Sequence, residues 1–416
     1  MFFDLNIRRD NNNKTILFNN ETNHFFLESG EPLNKNTTLY SKYSPYWRVE
    51  PVSIKVLSIL LGYKCNYKCS YCKQATLREN SPVEEFMPCN VDSFMDKISA
   101  LALKPELIIL YGGEPLVYWK TLVKLIPKLR QAYPQAVINF PTNGSLLSRE
   151  KIEFFNQYDV GFSLSYDGEG GGRTRSCLRN KRVISALQQI KDGVGIRVTW
   201  NKNSVPLDRI KEDFAKHKII INSIRIDGVA QPGITAGIDP EDFLLPNEIK
   251  QEITTQVLKI YESNDIMTMR FDKLKKTVEM FANGIGIDAL ALNQCKIING
   301  SGLYLDCEGN IHNCMESTEI LGNIQNIGNS EPIDISQQYQ NHLYKNKCFT
   351  CPLVTACDGV CPRIHDEKSR EFEIYCDNKK TFALPLFRMA IEKLFNCKLI
   401  KIKDHETKRT LMQFPS

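Results

Sequence analysis

GYKCNYKCSYCKQ, residues 62–74, follows directly on an apolar, β-rich run at 54–61. It places Cys65, Cys69 and Cys72 in a C-x3-C-x2-C pattern. Thiolates are soft ligands suited to zinc and to iron–sulfur clusters. A structural zinc site closes with four ligands, and no neighbouring Cys or His supplies the fourth here. Three thiolates on a four-iron cluster leave one iron open, ready to be chelated by the amine and carboxylate of a small molecule.

Outward from this loop the chain alternates short β-rich runs with longer amphipathic stretches. Strands are predicted at 54–61, 107–111, 136–140, 160–165, 195–200 and 219–226, with helical segments at 91–103, 116–132, 147–158, 179–192 and 204–217. This rhythm predicts an α/β fold with a parallel sheet and helices outside it. Six such units fall short of an eightfold barrel, so an open, partial (β/α)6 barrel is expected. Ligands of such sheets bind at the carboxyl ends of the strands. Those ends carry Gly112-Gly113-Glu114-Pro115, Thr142-Asn143-Gly144 and Ser165-Tyr166-Asp167-Gly168. TNG and DG by themselves are common turns.

Residues 240–284 read as two helices. Residues 295–376 are rich in Cys, Gly and Asn, and a region of that kind needs metal as a staple. A final helix at about 381–396 and a basic tail follow. At the other end, residues 1–50 are polar and Asn-rich, with one hairpin flanking the Asn20–Asn23 turn. That segment serves either as a structural cap or as a docking strand for a partner peptide. The domains expected are therefore a hairpin extension (1–50), the core barrel (51–230), a helical connection (231–290), a Cys-rich domain (291–380) and a C-terminal helix with basic tail (381–416).

Composition excludes several classes. Net charge is +5, from 53 basic and 48 acidic residues spread along the sequence, so no nucleic-acid footprint exists. No apolar run approaches the roughly 20 residues of a membrane span. The run at 54–62 is too short and too internal for a secretory signal, so a cytoplasmic location is expected. Fourteen cysteines in such a chain indicate metal binding or catalysis rather than disulfides.

The three-cysteine loop and the strand-end motifs together resemble the radical S-adenosylmethionine (SAM) superfamily. The resemblance implies that Cys65, Cys69 and Cys72 hold a [4Fe-4S] cluster that cleaves SAM reductively to methionine and a 5′-deoxyadenosyl radical. Tyr71 matches the aromatic position where the loop backbone approaches adenine. Gly112, Gly113, Glu114 and Pro115 resemble the GGEP motif, whose backbone oxygens and Glu114 would accept hydrogen bonds from the SAM ammonium. Asn143, Ser165 and Asp167 match motifs at the SAM ribose and carboxylate. Arg182 opens the helix where relatives place a carboxylate-binding arginine, with Arg173, Arg175 and Arg179 as rivals.

Seven later cysteines run Cys295, Cys314, Cys348, Cys351, Cys357, Cys361 and Cys376, with Gly309 between the first two. This arrangement resembles the SPASM extension, which carries two auxiliary [4Fe-4S] clusters; a zinc ribbon is the local alternative for its C-x2-C. The resemblance assigns Cys348, Cys351, Cys357 and Cys376 to the distal cluster and Cys295, Cys314 and Cys361 to the nearer one. The nearer cluster's fourth position is either Cys307 or open. Cys89, Cys177 and Cys397 fit no pattern.

Because SPASM enzymes mostly modify peptides, a ribosomally made precursor peptide is the expected substrate, with side-chain cross-linking (C–C, ether or thioether) the expected outcome. A flavodoxin or ferredoxin-type donor would supply electrons. The rival is an anaerobic sulfatase-maturating enzyme forming formylglycine, although Met315 and Glu316 stand where that family has an aspartate after the cysteine equivalent to Cys314. A non-catalytic electron carrier is a further alternative, against which the complete SAM constellation counts.

Overall fold

A computed structural model describes residues 1–10, 12–33, 54–72, 74, 75, 77, 90–170, 176–229, 239–262, 271–284, 301–314, 319–325, 348–357, 359 and 369–414. In chain order the strands are β1 (Phe2–Arg9), β2 (Asn12–Asn19), β3 (His24–Leu27), β4 (Val56–Leu60), β5 (Leu107–Tyr111), β6 (Val137–Thr142) and β7 (Val160–Ser165). They continue as β8 (Val194–Trp200), β9 (Ile221–Val229), β10 (Gly302–Asp306), β11 (Asn310–His312), β12 (Ile320–Asn323), β13 (Lys398–Asp404) and β14 (Thr410–Gln413). The helices are α1 (Val91–Ser99), α2 (Trp119–Ala132), α3 (Arg149–Gln157), α4 (Lys181–Leu187) and α5 (Leu207–Ala215). After them come α6 (Asn247–Glu262), α7 (Phe271–Asn283), α8 (Val354–Cys357) and α9 (Arg370–Phe395). Among the described residues no helix is long and apolar enough to cross a membrane.

The chain divides into two compact units. One comprises Glu50–Ile249 and Lys296–Ile335 and holds a sheet of order β12-β11-β10-β4-β5-β6-β7-β8-β9. From β5 to β9 each strand pairs parallel with the one before it, as the alternating pattern requires. Parallel crossovers are right-handed in nearly all proteins, so neighbours taken in sequence order put their helices on one face. That leaves the opposite face to be lined by strand side chains. On β8 the consequence is visible: Val194, Ile196, Val198 and Trp200 are buried while Gly195, Arg197 and Thr199 on the other face are only half-buried.

The helices start where local chemistry supplies a cap. Asn90 accepts from Ser93 N–H at the start of α1, and Ser148 accepts from Lys151 N–H at the start of α3. Each cap is worth about 0.5–2 kcal/mol. Val91, Phe94, Met95 and Ile98 of α1 recur at helical spacing and are buried.

The second unit comprises Met1–Val49, Lys250–Cys295 and Ser336–Ser416, around an antiparallel sheet of order β14-β13-β1-β2-β3. Its core is aromatic. Phe18 stacks on Phe25 with ring centroids 4.8 Å apart, and Phe281 of α7 and Phe387 of α9 pack against Phe18 at 5.7 Å each.

These units revise the boundaries expected from sequence. The Cys-rich stretch 291–380 is not one body, because β10 pairs parallel with β4, Gly302 against Val56 through Asp306 against Leu60, and so joins the sheet of the first unit. The last helix begins eleven residues earlier than expected, at Arg370: Ser369 caps it by accepting from Phe372 N–H, and Glu371 and Glu373 occupy its first turn. The basic tail is a pair of strands, with Leu399 and Ile402 fully buried between outward lysines. The hairpin of residues 12–27 is present, and its outer strand β3 is partly covered by residues 31–33. β2 lies between β1 and β3, Phe26 bridges Pro32, and Leu33 N–H donates to Phe25 O at 2.8 Å.

Candidate active site

The carboxyl ends of β4 to β8 converge on a cavity of about 340 Å³, within the range of small-molecule sites, about 300–1,000 Å³. Its wall carries Cys65, Cys69, Cys72 and Tyr71 from the loop after β4, Gly112, Gly113 and Glu114 after β5, and Asn143 after β6. Ser165 at the end of β7 and Arg197 and Thr199 of β8 also line it. The three cysteines share this wall with no other Cys or His among the described lining residues. That donor set fits a cluster with an open coordination position better than a closed zinc site.

The thiols are close enough to feel one another. Burial first, and then the charges of Glu114, Cys69 and Cys72, push the Cys65 thiol up to about 11, against the opposing hydrogen bond from Tyr67 N–H. The loop is short-circuited on itself by Cys72 N–H donating to Cys69 O at 3.2 Å. It is also tied down at Asn66, which accepts from Asn143 Nδ2 at 2.9 Å and donates to Ser145 Oγ at 2.8 Å.

The glycines after β5 answer to the cysteine loop. Gly113 N–H donates to Gly62 O at 2.9 Å and Glu114 N–H to Lys64 O at 3.0 Å. A Cβ on Gly113 would meet Tyr63 O at 2.4 Å and Lys64 O at 2.5 Å, and one on Gly112 would meet Gly62 O at 2.5 Å. No side chain fits between the two backbones, which is why glycine stands there.

Glu114 has a structural part as well. It lines the cavity, but its carboxylate is 1% exposed and already accepts three hydrogen bonds: Leu116 N–H and Thr142 Oγ1 on Oε1, and Asn143 N–H on Oε2. It stitches the ends of β5 and β6 together. Pro115 is buried at the start of the 3-10 turn Pro115–Tyr118 and does not line the cavity. Asp167 stands behind the wall, where it accepts from Tyr71 Oη and, at 2.8 Å, from Thr199 N–H. Its contribution is to hold the Tyr71 ring.

Arg182 lies outside the cavity. It lies in the first turn of α4 on the surface, its guanidinium 3.3 Å from Glu150. Of its rivals, Arg179 pairs with Glu169 at 2.9 Å on the surface, while Arg173 and Arg175 fall outside the described residues. The one cationic side chain among the described residues lining the cavity is Arg197, which the sequence reading missed. Its signal was present, since Gly195, Arg197 and Thr199 form the polar face of an otherwise apolar alternating strand.

Of the later cysteines, Cys295 and Cys361 lie outside the described residues, as do Cys89, Met315 and Glu316. Cys314 follows β11 and, with Ser58, Leu60, Tyr111, Tyr304 and His312, lines a small second cavity. Cys307 sits in the β10–β11 turn, its Sγ 4.0 Å from Leu60 O. His312 bonds to Asp306 at 2.9 Å, which fixes that turn.

The second unit gathers a separate set. Cys351 N–H donates to Cys348 O at 3.1 Å, Cys357 ends α8, and Cys376 stands in the second turn of α9. Burial first, then the charges of Cys357 and Cys376, push the Cys351 thiol up to about 12. Cys348 packs against Tyr375, next to Cys376. Four thiols from two segments are a donor set of the kind that holds an iron–sulfur cluster, although among the described residues no group of three or more His, Cys, Asp or Glu stands close enough together to hold a metal ion. Cys177 is buried and Cys397 is half-buried.

A family model of a 4Fe-4S single cluster domain matches residues 56–190. The chain is 23% identical over 366 residues to the radical SAM cyclopropyl synthase TigE of Paramaledivibacter caminithermalis, covering 82% of this chain and 74% of that protein. It is 21% identical over 357 residues to the serine-type anaerobic sulfatase-maturating enzyme of Bacteroides thetaiotaomicron, covering 77% of this chain and 84% of that one. Its fold is similar to the solved structure of native anSMEcpe with bound AdoMet and Cp18Cys peptide, with a TM-score of 0.59 at 18% identity over 82% of this chain and 99% of the other.

Proposed function

We propose that this chain, a radical SAM enzyme of the SPASM type related to peptide and sulfatase maturases, oxidatively modifies a ribosomally made precursor peptide by cross-linking its side chains. The observation that carries the reading is the convergence of Cys65, Cys69 and Cys72 with Asn143, Ser165 and Arg197 on one cavity. A C–C bond is favoured over an ether or thioether, because the matched cyclopropyl synthase is named for a carbon ring.

Cys65, Cys69 and Cys72 would hold a [4Fe-4S] cluster, at the open end of a partial (β/α)6 barrel. When bound, the cluster and SAM together would supply reductive carbon–sulfur cleavage as the source of a 5′-deoxyadenosyl radical. Arg197 would pair with the SAM carboxylate and Ser165 would donate to it, both from the polar strand face. Backbone oxygens of Gly112 and Gly113 would receive the ammonium, leaving Glu114 to hold the β5–β6 frame. Tyr71, braced by Asp167, would present the loop backbone to adenine. Cys348, Cys351, Cys357 and Cys376 would hold one auxiliary cluster, and Cys295, Cys314 and Cys361 the other, with Cys307 the candidate fourth thiolate. A flavodoxin or ferredoxin-type protein would deliver electrons.

A second reading, oxidation of a Cys or Ser to formylglycine, is supported by the sulfatase-maturating relative, of which this chain matches 84%. One experiment separates them. Anaerobically reduced protein with SAM should form 5′-deoxyadenosine, and with its precursor peptide a product lighter by a pair of hydrogens and linked between residues. No 5′-deoxyadenosine would sink both readings and leave an electron carrier. Formylglycine from a sulfatase-derived peptide would establish the second.

A further inference from the structure

The turn between β2 and β3 exposes Glu21 and Thr22 but turns Asn20 and Asn23 inward, which is unusual for a run as polar as Asn19-Asn20-Glu21-Thr22-Asn23. Asn20 and Asn23 are each 0% exposed. Asn19 shapes the turn by accepting from Glu21 N–H at 2.9 Å and Thr22 N–H at 3.2 Å. Asn23 adopts φ +54°, a left-handed conformation that asparagine tolerates better than most residues. The turn itself therefore explains Asn19 and the backbone of Asn23. It does not explain the two buried amide side chains.

Both reach the four-cysteine segment more than 300 residues away. Asn20 Nδ2 donates to the carbonyl oxygen of Cys351 at 3.0 Å. Asn23 Oδ1 accepts from Thr355 Oγ1 at 2.9 Å, and Thr355 is 1% exposed. One bond grips the backbone of a cysteine, and the other grips the single-turn helix α8 that ends in Cys357. The hairpin can bear on them because it is itself immobilised: Phe25 packs on Phe281 at 5.6 Å and on Phe395 at 5.0 Å. A four-residue helix has little stability of its own.

We infer that Asn20 and Asn23 are positioning residues of the four-cysteine site, a buried amide clamp that sets the spacing of Cys348, Cys351 and Cys357 for metal. The inference rests on reading those cysteines as cluster ligands. Groups that orient ligands from behind commonly change metal affinity by about 10–100-fold when removed.

The test is made on the full chain, reconstituted anaerobically with iron and sulfide. Wild type should hold about twelve irons, from three four-iron clusters. Asn20→Ala/Asn23→Ala should lose about four of them, or hold them with a shifted reduction potential, while 5′-deoxyadenosine formation without peptide continues. Thr355→Val removes the same bond from the other side without touching the hairpin, and should shift the potential or the electron paramagnetic resonance signal of one cluster. Asn23→Asp keeps the acceptor and should restore the wild-type signal relative to Asn23→Ala. Full iron content with an unchanged potential and signal in both the double variant and Thr355→Val would overturn the clamp alone. Wild type that binds no metal at these four cysteines would overturn the clamp together with the reading beneath it.

Discussion

Glu114 Oε2 accepts the backbone N–H of Asn143 at 2.7 Å, joining the ends of two neighbouring strands through a buried carboxylate. Thr142 Oγ1 donates to the other oxygen at the same distance. In Glu114→Gln an NH2 group would face the Asn143 N–H in one orientation or the Leu116 N–H in the other. A buried donor left without its acceptor costs about 1–3 kcal/mol. Thermal unfolding of the variant should therefore shift down by several degrees, with SAM affinity weakened. An unchanged midpoint would show that Glu114 is not the joint.

Arg197 and Arg182 make a matched pair. Arg197→Ala should weaken SAM binding at least about tenfold, roughly 1.4 kcal/mol. Arg182→Ala removes only an exposed pair with Glu150, and SAM affinity should stay close to that of the unmodified protein. Calorimetric titration of SAM into each variant decides the point. A larger loss in Arg182→Ala would return the carboxylate to the helix.

Gly113→Ala places a Cβ against Tyr63 O and Lys64 O and should force the cysteine loop away. The expected result is a loss of about four irons per chain with no SAM cleavage. Gly322→Ala, whose Cβ would meet nothing within 4 Å, is the control and should load normally.

The pH dependence of the metal-free loop follows from Cys65. Its thiol is pushed up to about 11, well above the ordinary range of a cysteine, first by burial and then by Glu114 and the neighbouring thiols. A raised thiol stays protonated at neutral pH, and the thiolate is the nucleophile. Alkylation of Cys65 at pH 7.5 should run about one hundredfold slower than for an unperturbed cysteine and accelerate tenfold per pH unit up to about 11. Mass spectrometry of the labelled peptide reads this directly. Rapid labelling near pH 7 would mean the loop opens to solvent without metal.

Replacing Cys348 and Cys351 together by Ala should abolish the modified peptide while sparing part of the uncoupled SAM cleavage. The SAM-side cavity is lined entirely from the other unit, Glu50–Ile249. Circular dichroism must confirm folding, since metal binding and folding are coupled in such segments. Product formed at the normal rate by a folded variant would refute the division of labour.

The sequence by itself determined what is local. Alternating apolar runs defined β4 to β9 to within about two residues at nearly every boundary, because hydrophobic period and strand length are properties of short windows. The spacing of Cys65, Cys69 and Cys72 did the same for the metal chemistry, since chain geometry limits how far such thiols can part. Tertiary structure alone decided what depends on facing and long-range pairing. Arg182 and Arg197 are equally basic in the sequence, but only one stands on the strand face that the helices leave uncovered. The pairing of β10 with β4, and of Asn20 with Cys351, joins segments some 250 and 331 residues apart. Such contacts leave no periodic trace, because burial and backbone hydrogen bonding select them only once the chain has closed.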